Sequence, residues 1–183
     1  RAQAAQMFYN LLKNKDVPVT VSFTDVPDDA WYAESVGVLA SLGILNGVGD
    51  GHYEPDRAIT RAEFTAIAMR FAHMDTSGAD IFPDVHANDW FYEVVVSAVN
   101  YGWINGYADG TFRPDETITR AEVAAIVNRM LGRSADKAYV DTHADELTQF
   151  TDVSPYYWAY YDIMEAANAH NHTNQGGVET WQN

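Results

Sequence analysis

The sequence predicts an all-α module built from helical repeats. Three observations carry that expectation: a set of motifs recurs at a 59-residue offset, apolar stripes of helical spacing occur at equivalent places, and Gly/Pro turns between them leave no room for long strands. The recurring set is Phe23-Thr24-Asp25-Val26, Trp31, Gly43-Ile44, Asn46-Gly47, Asp50-Gly51, Pro55-Asp56 and Ile59-Thr60-Arg61-Ala62-Glu63. Its copies are Phe82-Pro83-Asp84-Val85, Trp90, Gly102, Ile104-Asn105-Gly106, Asp109-Gly110, Pro114-Asp115 and Ile118-Thr119-Arg120-Ala121-Glu122, with only Ile44 and Ile104 one position out of register. The chain also opens on Arg1-Ala2-Gln3, the back end of such a unit, and closes with Phe150-Thr151-Asp152-Val153 and Trp158, the front end of another. Residues 1–14 are therefore read as a C-terminal half repeat, 22–74 and 81–132 as complete repeats, 133–149 as an acidic linker and 150–183 as a divergent N-terminal half, all in one compact module.

Each repeat reads as helix, loop, helix. In the first helix Trp31, Tyr32, Val36, Leu39 and Leu42 fall within about 140° of arc, which predicts one buried face. Trp90, Phe91, Val95, Ala98, Tyr101 and Trp158, Ala159, Ile163, Ala166, Ala169 repeat it, so the tryptophans are expected chiefly as core anchors. Asp28, Asp29 and Asn88 stand where N-caps belong, and Gly43 and Gly102 where a left-handed residue ends a helix. The connecting segments 46–56 and 105–115 combine Asn-Gly, Asp-Gly and proline, the chemistry of turns. The second helix opens on a capping box, Thr60 with Glu63 and Thr119 with Glu122, in which hydroxyl and carboxylate satisfy amides the helix leaves unpaired. Behind it run Phe64, Ile67, Ala68, Phe71 and Val123, Ile126, Val127, Met130, matched by Ala4, Met7, Phe8, Leu11, which predicts three equivalent helices burying their stripes on one another around a pseudo-threefold core.

The linkers are 13–22, 73–81 and 131–149. The last is longer and carries Asp136, Asp141, Asp145 and Glu146, which places Trp158 68 residues after Trp90 and leaves room for an extra helical turn or a mobile loop. After His170 the repeat decays, without proline, Asp-Gly turn or capping box.

Composition bounds the function. The 183 residues hold no cysteine, and 11 Lys+Arg against 26 Asp+Glu give a net charge of −15. No basic stripe exists to displace counterions, which excludes nucleic acid as a partner. No apolar run approaches the roughly 20 residues of a membrane helix, and Arg1–Gln6 lacks the layout of a secretion signal, so any export signal is expected upstream. A 47% hydrophobic fraction is too rich for a disordered acidic chain.

The order Phe-x-Asp-Val, Trp, Gly-Ile, Asn-Gly, Asp-Gly-x-Phe-x-Pro, Ile-Thr-Arg-Ala-Glu resembles the S-layer homology family, over residues 1–131 and, more loosely, 150 to about 170. The resemblance implies a three-pronged spindle around a central three-helix bundle. It implies non-covalent attachment of an exported protein to bacterial cell-wall polysaccharide, commonly an anionic pyruvylated one, through grooves between repeats, with no catalysis and no cofactor. It also implies an extracellular place at the cell wall or surface layer. A helix N-terminus bearing arginine suits a carboxylate, which makes Arg61 and Arg120, and by equivalence Arg1, candidate ligand contacts, with an ion pair to a neighbouring acid as the competing role. Trp31, Trp90 and Trp158 are candidate sugar platforms, and Asp50, Gly51, Asp109 and Gly110 candidate groove-lining turns that bring backbone and a hydroxyl acceptor to a ligand. Gln3 replaces the capping glutamate in the first copy, and His170-Asn171-His172 stands where Gly-Ile belongs in the last, so complete groove sets exist for two repeats only.

Other chemistries are weaker. The run Asp50-Gly51-His52-Tyr53-Glu54-Pro55 has too few oxygen ligands for an EF-hand, although the acidic stretch 136–146 leaves loose calcium binding open. His143, His170 and His172, with Asp141, Asp145 or Glu165 as partners, lack a recognised metal-ligand spacing and are read as surface histidines, so no metal site is called. No nucleophile elbow or paired catalytic carboxylates appear. The competing reading is an assembly scaffold that contacts other surface-layer proteins through Tyr156-Tyr157-Trp158-Ala159-Tyr160-Tyr161 or the decayed C-terminal segment, with vestigial grooves.

Overall fold

A computed structural model describes residues 1–78 and 81–182, so positions 79 and 80 of the expected 73–81 linker lie outside the described residues. The described chain is a helical repeat module with a single two-stranded hairpin, and none of its helices is long and apolar enough to cross a membrane. It divides into two compact units, residues 1–100 with 106–118, and 101–105 with 119–183.

The first unit holds α1 (Ala2–Leu11), α2 (Ala33–Ser41), α3 (Arg61–Phe71) and α4 (Tyr92–Asn100). Helix α1 packs on α2 and α3 on α4, so the second helix of one repeat pairs with the first helix of the next. The expected stripe of α3 is buried at Phe64, Ile67 and Ala68, and α1 meets it through buried Phe8, whose ring lies 5.4 Å from Phe64 and 5.2 Å from Phe71. Full burial of a phenylalanine of this kind stabilises by about 2–3 kcal/mol. Both halves of the α3 capping box are present. Gly43 and Gly102 take φ of 71° and 73°, as helix stops should.

The first-helix face departs from expectation. Val36, Leu39, Val95 and Ala98 are buried, but Trp31, Trp90 and Trp158 are 62%, 62% and 58% exposed, so the tryptophans are not core anchors. The physical reason is that these helices start later than the periodicity suggests: Trp31 sits in a turn before α2, where the 100° rotation per residue does not yet apply. Asp28 and Asp29 fall in that turn too. Tyr32 occupies the cap position with no side-chain cap bond, and ahead of α4 it is Asp89 whose carboxylate accepts from His86 N (2.7 Å).

The second unit holds α5 (Arg120–Leu131), α6 (Lys137–Thr142), α7 (Tyr160–Ala167) and the antiparallel strands β1 (Asn171–Gln175) and β2 (Val178–Gln182). Helix α5 has its full capping box and packs on α7, and Asn128 donates to Asp162 O (2.8 Å). The long linker contains α6, capped by Asp136, and Val140 from it joins Tyr160, Met164 and Trp181 in one buried cluster. This rotates the buried face of α7: Ala166 is exposed, as is Ala169 beyond the helix end, whereas Tyr160 and Met164, four apart, face the core. The decayed segment is a hairpin turning at Gly176-Gly177, both with positive φ. Its β2 buries Glu179 and Trp181 and exposes Val178, and the His170 side chain is 5% exposed, so His170 is not a surface histidine.

Candidate functional site

Two of the residues expected to act, Arg1 and Arg61, each stand at a junction that the first unit builds twice, between a helix N-terminus and the loop of the following repeat. In the first copy Ala2 N donates to Pro55 O (2.9 Å), Arg1 Nε to Tyr53 O (2.8 Å), and Arg1 Nη2 to Asn46 O (3.0 Å). The guanidinium also meets Glu63 Oε1 at 2.7 Å and lies 4.7 Å from the Tyr53 ring centroid. In the second copy Ala62 N donates to Pro114 O (3.0 Å), Arg61 N to Glu116 O (2.9 Å) and Arg61 Nε to Phe112 O (2.9 Å), with the guanidinium 4.7 Å from Tyr107 and 4.8 Å from Phe112. Arg61 is only 5% exposed. These bonds go to amides and carbonyls that would otherwise be orphaned at a helix start and a tight loop.

The loops are held from the other side by aspartates to which sequence reasoning gave no role. Asp25 accepts Tyr53 N and Glu54 N (2.8 and 2.7 Å), and Asp84 accepts Phe112 N and Arg113 N (2.9 and 2.7 Å). Glu54 and Arg113 take left-handed φ of 57° and 59°, a conformation that costs about 1 kcal/mol for a residue with a Cβ, and each is fixed by that carboxylate. Burial would raise the Asp25 carboxyl, but the Tyr53 and Glu54 amides outweigh it and hold it below the usual range. The signal was available, because the aspartate recurs at the same place in both copies.

The glycine of each Asn-Gly pair is also explained. A Cβ on Gly47 would stand 2.5 Å from His52 O and 2.6 Å from the Phe23 ring, and one on Gly106 would meet the Phe82 ring and Thr111 O. Gly47→Ala is expected to cost about 1–3 kcal/mol in urea unfolding, while Gly110→Ala, with open space at its Cβ but φ 82°, pays only for the left-handed backbone.

Glu63 gathers the first junction. Its carboxylate accepts Thr60 N (3.0 Å) and pairs with Arg1 and Arg57; burial would raise its pKa, but these partners together lower it. A depressed carboxyl stabilises the fold fully above its unfolded pKa, and that contribution is lost as pH falls through the folded value. Thermal melts are therefore expected to show stability falling below about pH 4.3, and a shallower fall for Glu63→Gln.

The remaining expected residues lie apart from these buried bonds. Asp50 and Gly51 form an exposed turn with φ of 51° and 75°. Asp109 accepts Thr111 N and Oγ1 and pairs with Arg113 (2.9 Å); the Thr111 bonds first, and then Arg113, hold its carboxyl well below the usual range. Among the described residues the Arg120 side chain has no hydrogen bond or ion pair, and it is exposed at the start of α5, where the third copy of the receiving loop is missing from the sequence. A concavity of about 240 Å³ in the first unit is lined by Leu42, Gly43, Met69, Arg70, His73 and Met74, none of them a ligand contact expected from the sequence, and burial lowers the Arg70 pKa there.

Comparison with known proteins decides what this repeated architecture is. The S-layer homology domain matches residues 22–65 and 81–124, the two segments that contain these loops and their capping boxes. The chain carries S-layer homology domains. It is 33% identical over 182 residues to a cellulosome-anchoring protein of Acetivibrio thermocellus, covering 94% of this chain and 39% of that protein. It is 32% identical over 187 residues to cell surface glycoprotein 1 of the same organism (94% and 8%) and 28% identical over 169 residues to the surface-layer 125 kDa protein of Lysinibacillus sphaericus (89% and 14%). The chain thus spans well under half the length of these relatives. S-layer homology domains are cell-surface anchoring modules, which puts this chain outside the cell at its wall.

Proposed function

We propose that the chain anchors a larger exported protein by binding secondary cell-wall polysaccharide non-covalently, through an anionic, pyruvylated sugar held between repeats, and that it is itself no enzyme. The observation that carries this reading is the exposure of Trp31, Trp90 and Trp158 at equivalent repeat positions. The same large ring stands in solvent at the equivalent place in all three copies, and an indole face suits a sugar ring or a pyruvate methyl. Arg120, exposed on the first turn of α5, supplies a planar cation for the ketal carboxylate. The turns Asp50-Gly51 and Asp109-Gly110 present hydroxyl acceptors, while Arg1 and Arg61 hold the loops that position them. The test is co-sedimentation with purified wall sacculi before and after mild acid removal of pyruvate. Binding is expected to fall on acid treatment, and Trp31→Ala and Trp90→Ala are each expected to weaken it roughly tenfold, about 1.4 kcal/mol, with melting temperature unchanged. Equal binding by treated sacculi and by both variants overturns the reading.

A second reading rests on Tyr156, which is 98% exposed beside exposed Tyr157 and Trp158. An apolar strip of this kind suits contact with another surface-layer protein. Concentration-dependent sedimentation that Tyr156→Ser abolishes supports it, and a strictly monomeric chain at high concentration excludes self-assembly.

A further inference from the structure

We infer that the second unit contains a divalent transition-metal site made by His170 Nε2, His172 Nε2 and the Glu179 carboxylate, at the seam between the end of α7 and the β1–β2 hairpin. The three ligand atoms all lie within 4.8 Å of one another. His170 Nε2 stands 3.3 Å from Glu179 Oε2, and His172 Nε2 stands 3.7 Å from Glu179 Oε1. Ligand atoms about 2.0–2.1 Å from a tetrahedral zinc ion are themselves separated by about 3.3–3.5 Å, so small rotamer adjustments close the set.

His170 is oriented as a metal ligand. Its Nδ1 lies 2.8 Å from Asn168 O, and a carbonyl can only accept, so Nδ1 carries the proton and neutral His170 offers a bare Nε2. That lone pair faces Glu179 Oε2 and, at 3.6 Å, Glu165 Oε1. Acceptors pointed at one another repel unless a cation sits among them. The ring is held in this pose by stacking on Trp181 (3.7 Å between centroids, 15° between planes), and Asn168 is held in turn by Thr148 N (2.7 Å) and Met164 O (3.0 Å). A histidine whose far nitrogen is pinned to a backbone carbonyl is the outer-shell arrangement that metal-binding imidazoles use.

A second, independent observation is Glu165. Its side chain is 0% exposed, and neither carboxylate oxygen accepts a hydrogen bond of good geometry, although Arg133 Nη2 approaches Oε1 at 2.6 Å. Two buried carboxylates, Glu165 and Glu179, against one arginine leave a net charge of −1 among these side chains, which a divalent ion reverses rather than compounds. Two imidazoles with one or two carboxylates favour zinc or its neighbours over calcium or magnesium, which prefer all-oxygen shells. Bound there, the ion ties the C-terminal hairpin to α7.

The test uses the 183-residue chain stripped with a chelator and titrated with Zn²⁺ against a chromophoric competitor. One equivalent is expected to bind at micromolar affinity or tighter and to raise the melting temperature, and Ca²⁺ at the same concentration is expected to do neither. His172→Ala is the discriminating variant, because that side chain is 37% exposed and its loss leaves the buried cluster intact. It is expected to melt like the metal-free wild type but to bind Zn²⁺ at least tenfold more weakly and gain no thermal shift. Glu179→Gln should show the same loss of affinity. No stoichiometric uptake, uptake indifferent to His172→Ala as scattered surface histidines would give, or an equal effect of Ca²⁺ overturns the proposal.

Discussion

Arg61→Ala is expected to lower the unfolding free energy by about 3 kcal/mol in a urea titration. The substitution leaves Phe112 O without its donor in a buried place, which costs about 1–3 kcal/mol, and removes a long side chain lying beside the Tyr107 and Phe112 rings. Arg61→Lys is expected to recover little, since a lysine cannot reach the carbonyl through a planar Nε and lie flat over the rings together. Arg120→Ala, at the equivalent sequence position but exposed and unpaired, is expected to change stability by less than about 0.5 kcal/mol. The pair separates two roles that sequence reading merges. If the polysaccharide reading holds, Arg120→Ala weakens wall binding at constant stability, whereas Arg61→Ala weakens it in step with unfolding. Equal stability of the two variants contradicts the structural role of Arg61.

Asp84→Ala is expected to cost about 2–4 kcal/mol, and Asp25→Ala a similar amount. Each aspartate accepts two adjacent backbone amides, and charge-assisted bonds of this kind contribute about 1.5–3 kcal/mol apiece, reduced here by partial exposure. The loss also releases the left-handed residue that follows, Glu54 or Arg113. Asp84→Asn is expected to retain part of the stability, because one amide oxygen can still accept while its NH₂ faces a donor. Hydrogen exchange should show faster exchange at Phe112 and Arg113 in Asp84→Ala before any change in α3. An unchanged rate at those two amides contradicts the clamp.

Much of this was written plainly in the chain. The capping boxes at Thr60 and Thr119, the stops at Gly43 and Gly102 and the stripe of α3 depend on local spacing, and local spacing is what a sequence displays; of the stripes expected in α1 and α5 only Phe8 and Ile126 are fully buried. The tryptophans were misread for the same reason: periodicity assumes that a helix has already begun, and Trp31 precedes α2. Cross-repeat pairing was hidden because a period defines equal units without saying which neighbour each one embraces. The C-terminal hairpin was hidden more deeply. Gly176-Gly177 was its local signal, and β2 inverts the usual pattern by burying Glu179 and exposing Val178, a reversal that makes sense once His170 and His172 are seen 3.3 and 3.7 Å from the Glu179 carboxylate. Of the candidate site, the sequence named Arg1, Arg61 and the Asp-Gly turns but not their division of labour, since a buried guanidinium and an exposed one are spelled alike.

The helix-to-loop bonds bear on how the protein comes into being. Ala2 must wait for the carbonyl of Pro55, and Ala62 for that of Pro114. A ribosome delivering the chain from its N-terminus produces each of these helices some fifty residues before the groups that finish it. Helices α1 and α3 are therefore provisional until the following loop emerges, and their consolidation follows synthesis by one step along the first unit. A stalled or truncated product would end in a helix with bare amides at its start, more open to proteases than the completed segments behind it.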